Sequence, residues 1–141
     1  MTVYVFGNPD LPGDALPIRL LAGLRKSCPD IAFEVKDPNE EWETPERLVV
    51  IDAVVGIDTV QVFSDLATFE RTPRVSVHDF DALTQLRLLQ KLGRLKKVTI
   101  IGVPPTINEI VAHRNIVSIL LRLSGGSGIM KERSKTIHQR P

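Results

Sequence analysis

The chain is 141 residues long, 43% apolar and 25% charged, with a net charge of +1. That length fits one domain with its own core, and the near-zero charge gives no global pull toward nucleic acid or an anionic membrane. No apolar run reaches the ~18 residues of a membrane span, and the first residues enter a strand pattern without a charged and apolar leader, so a cytoplasmic protein without a signal peptide is expected.

Val3-Tyr4-Val5-Phe6 is a short continuous apolar run, the form of a central parallel strand buried on both faces. It empties into Gly7-Asn8-Pro9-Asp10-Leu11-Pro12-Gly13-Asp14, which holds more turn-forming residues than a plain turn needs. The loop delivers a carboxylate at Asp14 as a helix begins. Residues 15–27 place Leu16, Leu20, Leu21 and Leu24 on one side, with Arg19, Arg25 and Lys26 on the other. The lone Cys28 has no partner for an internal disulfide and no nearby ligand pattern, and reads as structural.

Ile31-Ala32-Phe33-Glu34-Val35 alternates, as a strand with one wet face does. Leu48-Val49-Val50-Ile51 is a second run buried on both faces and ends at Asp52. Thr59-Val60-Gln61-Val62-Phe63 alternates like an edge strand, and Val75-Ser76-Val77 predicts a short further strand ahead of His78. Residues 80–92 carry Phe80, Leu83, Leu86, Leu89 and Leu92 at steps of three, with Asp79 as the expected N-cap and Gly93 as the stop. Val98-Thr99-Ile100-Ile101 is the third buried run. Thr106-Ile107-Asn108-Glu109 reads as a capping box opening a helix through about Leu123, with Ile110, Val111, Val117, Leu120 and Leu121 as its apolar set. Beyond it the text turns to Ser-Gly repeats and basic residues, so a folded domain over 1–124 and a mobile basic tail over 125–141 are expected.

Strands alternating with helices predict a single three-layer α/β sandwich with a mostly parallel twisted sheet flanked by helices. In such sheets ligands sit beyond the carboxyl ends of the strands, which singles out Asp14, Asp52 and His78. Each has a plainer reading: Asp14 as a helix cap, Asp52 as an acceptor for turn amides, His78 as a surface histidine. Together they form a mixed oxygen and nitrogen set suited to a borderline divalent metal such as nickel or zinc, with coordination positions left open. Their spacing is not a local metal motif. There is no Gly-x-Ser-x-Gly elbow, and Gly7 to Gly13 is not a phosphate-cradling loop. His113 and His138 receive no role.

These segments, in order, resemble the nickel–iron hydrogenase maturation endopeptidases. The resemblance rests on Val5-Phe6-Gly7-Asn8 through Asp14 to Ile18-Arg19-Leu20-Leu21, on Ile51-Asp52-Ala53, on Gly56-Ile57-Asp58-Thr59-Val60-Gln61-Val62-Phe63, on Ser76-Val77-His78, and on Val98 through Pro105. It spans about residues 3–123. It implies a hydrolase, an aspartic-type endopeptidase that removes the C-terminal extension of a nickel-loaded hydrogenase large-subunit precursor. It implies metal ligation by Asp14, Asp52 and His78, with Asp52 and Asp14 as the catalytic carboxylates. Nickel would arrive with the substrate, so no tightly bound cofactor is expected. The expected partner is the precursor, with no nucleic acid or membrane, and the protein is expected to be a monomer. The alternatives are a non-proteolytic metal-binding or assembly module using the same residues, and a small-molecule hydrolase or nucleotide-binding domain, which the missing phosphate loop disfavours.

Overall fold

The β-branched runs pair with one another in the middle of a sheet, where both faces can be covered. The computed structural model describes residues 1–37, 43, 45–70 and 77–125, apart from the side chains of residues 68, 70 and 77–83. Its strands are β1 (Thr2–Val5), β2 (Ala32–Val35), β3 (Arg47–Ala53), β4 (Gln61–Phe63) and β5 (Lys97–Val103). The helices are α1 (Leu16–Ser27), α2 (Leu66–Glu70), α3 (Val77–Lys91) and α4 (Glu109–Ser124), and a single 3-10 turn, Pro12–Asp14, precedes α1.

The five strands lie in the order β2-β1-β3-β5-β4. All pairs are parallel except β4 with β5. The register Val5↔Ile51↔Ile101 brings the carboxyl ends of β1, β3 and β5 to one rim. Strand parity then divides the core. Val3, Val5, Val49, Ile51, Ile101 and Val103 pack with α1 and α4, whereas Tyr4, Leu48, Val50, Val98 and Ile100 pack with α2 and α3. Each such buried side chain stabilises by about 1.5–3 kcal/mol relative to exposure, so the two faces hold the three layers together. The sandwich expected from the sequence is the fold found.

Leu16, Leu20, Leu21 and Leu24 of α1 are buried as the periodicity predicts. Gly23 lets α1 approach α4: a Cβ there would come within 3.2 Å of the His113 ring, which hydrogen-bonds Ser27 Oγ at 3.1 Å. Cys28 is buried at the end of α1, and burial pushes its thiol pKa up, consistent with a structural residue.

Four expectations need correction. The capping box does not begin at Thr106: α4 is capped by Asn108, whose side chain accepts from the amides of Ile110 and Val111. The apolar set of α4 holds only in part: Leu120 is buried and Val117 packs against the core, but Ala112, Ile116 and Ile119 are buried where Ile110 is 70% exposed. Helix α3 begins at Val77, so Asp79 lies inside it rather than at its cap. Val77 is therefore helical, not part of a strand, and Val75 and Ser76 lie outside the described residues. Gly93 does stop α3, with a positive φ of 72° that suits glycine. Leu92, at the end of the leucine series, is 58% exposed. The tail beyond Gly125 is outside the described residues.

Candidate functional site

The chain leaves β1 through α1 on one face of the sheet and leaves β3 toward α2 and α3 on the other. The point between β1 and β3 is thus where the winding reverses, and the carboxyl side of such a point is where open α/β sheets hold ligands. Asp14 belongs to the loop after β1, and Asp52 is the penultimate residue of β3. The 3-10 turn carrying Asp14 packs against β3. The topology therefore brings two of the sequence-predicted residues to the same rim.

The loop holding Asp14 is closed on itself. The Asn8 amide donates to the Asp14 carbonyl at 3.2 Å, the Leu11 amide to the Asn8 carbonyl at 3.1 Å, and the Asp14 amide to the Leu11 carbonyl at 2.9 Å. The Asn8 side chain accepts from the Asp10 amide at 2.9 Å, an Asx turn. Gly7 makes this fold-back possible, since a Cβ there would lie 2.8 Å from the Asp14 carbonyl oxygen. The turn-rich text thus produces a rigid bracket for one side chain.

Asp52 is fixed differently, by the ladder itself. It pairs in register with Gly102 of β5, and the neighbouring amides of Phe6 and Val54 bond to the Ile51 and Val103 carbonyls at 2.9 Å. Parity turns Asp52 to the face covered by α2 and α3. Gly102 leaves space beside it that Phe63 and Val54 fill: a Cβ at 102 would meet both at 2.9 Å. In the sequence Gly102 offers one signal of this role, an isolated glycine inside a strand pattern.

Both carboxylates are buried, Asp14 at 7% and Asp52 at 3% exposure, and Asp14 Oδ2 is sealed from solvent. Both take part in polar interactions, as burial of a carboxylate demands. Buried acidic groups at a strand-end rim can ligate a hard or borderline cation or activate a water. His78 is the second residue of α3, the helix that covers the face to which Asp52 turns, and its side chain lies outside the described residues. Among the described residues no group of three His, Cys, Asp or Glu side chains is disposed to hold a metal.

Around this rim, apolar side chains stand in solvent: Leu11 in the β1 loop, Val55 after β3, and Ile110 and Val111 at the start of α4. No described helix is long and apolar enough to cross a membrane.

The architecture and the position of the acidic pair define a three-layer α/β domain with a candidate site at its winding reversal. Among solved structures, the chain is similar to the hydrogenase maturating endopeptidase HybD from E. coli, at 23% identity, covering 89% of this chain and 94% of that one with a TM-score of 0.57. It is also similar to an endopeptidase from Escherichia coli known from its solution structure, at 18% identity, covering 87% of this chain and 89% of that one with a TM-score of 0.55. At such identities the likeness establishes the fold. No protein-family model and no curated protein matches the chain.

Proposed function

We propose that the protein is an endopeptidase that removes a C-terminal extension from a hydrogenase large-subunit precursor carrying nickel. The observation that carries this reading is the pair of buried carboxylates, Asp14 and Asp52, held from two different elements at the winding reversal of a fold shared with a hydrogenase maturating endopeptidase. The exposed Leu11, Val55, Ile110 and Val111 around the pair supply apolar surface for a peptide segment.

In this reading nickel is part of the substrate. Asp14, Asp52 and His78 take up the ligand positions left open on the ion, and that contact registers the scissile peptide against the rim. Asp52, fixed by the sheet, accepts a proton from a water that attacks the peptide carbonyl, and the proton passes to the leaving amine. Asp14, held in its closed loop, orients the ion. A precursor without nickel lacks the bridge and is left uncut.

The test is incubation of nickel-loaded precursor with the native protein and with Asp14→Asn, Asp52→Asn and His78→Gln variants, followed by intact-mass measurement. The native protein shortens the precursor, and each variant slows cleavage by about 10²-fold or more. Native rates in all three variants would overturn the assignment. Nickel-dependent association without any mass change would instead make the protein an assembly module.

A further inference from the structure

The opposite rim of the sheet, at the amino ends of the strands, has its own chemistry. A cleft of about 450 Å³ opens there, between the start of the sheet and the end of α4. Its lining includes Thr2 of β1, Arg47 and Leu48 of β3, Lys97 and Thr99 of β5, and Leu123 of α4. That volume is in the range of small-molecule sites.

Arg47 and Lys97 are partners in register on adjacent parallel strands. Their backbones are therefore ~4.8 Å apart, and their side chains leave the same face of the sheet. Like charges placed opposite one another across strands destabilise a sheet. The nearby acid does not relieve them, because Glu46 pairs with Lys96 at 3.7 Å. Among the described residues neither Arg47 nor Lys97 makes a side-chain hydrogen bond or ion pair. The carboxyl end of α4 offers only about half a negative charge, and Arg122 already stands in its last turn.

Below this cationic mouth the cleft is mixed. Thr99, two residues along β5 from Lys97, is a hydroxyl residue only 6% exposed. Val49, which shares the face of Arg47 and packs with the α4 side of the core, forms apolar floor, and Leu123 at the edge is 40% exposed. Two unneutralised cations, a recessed hydroxyl and an aliphatic wall suit one kind of guest. We infer that this cleft binds a small amphipathic anion, with its carboxylate or phosphate between Arg47 and Lys97 and a short aliphatic body against Val49 and Leu123. The site lies at the rim away from Asp14 and Asp52 and does not depend on the proposed peptidase reaction.

The experiment is titration of isotope-labelled full-length protein with octanoate and with hexyl phosphate, followed by amide NMR and calorimetry. Hexylamine and inorganic phosphate serve as comparisons. At least one amphipathic anion should saturate the site, shift the amides of Thr2, Leu48 and Thr99, and bind more weakly as salt rises. Arg47→Gln/Lys97→Gln should weaken it by at least about tenfold, whereas Arg47→Lys/Lys97→Arg, which keeps both charges, should retain it. Tighter binding of hexyl phosphate than octanoate would assign a phosphate guest, and the reverse a carboxylate. The inference fails if neither anion gives saturable shifts at these amides, or if the neutralised variant binds as tightly as the native protein. Equal binding of hexylamine or of inorganic phosphate would also sink it.

Discussion

The two rims of one sheet carry opposite chemistry. At the carboxyl rim the polar groups are two buried carboxylates, each fixed by backbone hydrogen bonds around it. At the amino rim they are two cations on exposed residues facing an open cleft. A parallel sheet makes this division easy, because the helices that follow its strands begin at one rim and end at the other. The difference teaches where precision is being spent. The carboxyl rim commits a bracket loop, a missing side chain at Gly102 and a strand end to holding two side chains still. The amino rim relies on register alone.

Perturbations at each rim should separate accordingly. The largest effect on stability is expected from Gly102→Ala. Its new Cβ would meet the buried Phe63 and Val54 at 2.9 Å, an overpacking cost of about 2–3 kcal/mol, measured by denaturant unfolding. The proposed peptidase activity should fall with it, because Asp52 is the register partner of Gly102. A variant as stable as the native protein would show that the space beside Asp52 is not close-packed.

Gly7→Ala should cost less stability, about 1–2 kcal/mol, since a surface loop can yield where a core cannot. The group it pushes is the Asp14 carbonyl, 2.8 Å away, so the proposed cleavage of a precursor should suffer more than stability does. Retained cleavage would break the link between the closed loop and the site.

The smallest effect belongs to the amino rim. Arg47→Gln/Lys97→Gln should change the stability of the ligand-free protein by no more than about 0.5 kcal/mol, with relief of repulsion favouring the variant. Cleavage should be unchanged. A large loss of either would show that the two rims are coupled rather than independent.

The sequence disclosed these rims unequally. Val3–Phe6, Leu48–Ile51 and Val98–Ile101 are continuous and β-branched, so the central strands were legible, and the rule for strand ends then pointed to Asp14 and Asp52. Helix α4 misled in part because apolar residues surround much of its circumference: Leu120 was legible, but only packing selects Ile116 and Ile119 over Ile110. Helix α2, with five residues, is too short to display a period. The cap at Asn108 was hidden by Thr106 two residues earlier, which offers the same local chemistry but sits in the turn where the Ile107 amide bonds the Pro104 carbonyl. The pairing of Arg47 with Lys97 has no local signature at all, since distant segments meet only through strand register.

The hydrogen bond from Asn8 to the Asp14 carbonyl bears on how quickly and tightly a client can be engaged. A limp loop surrenders about 1–2 kcal/mol of backbone entropy for each residue it freezes on contact. Here that ordering is complete before any encounter, so recognition need not be drained by it. The segment should exchange its Asn8 and Asp14 amide protons slowly even when the protein is alone.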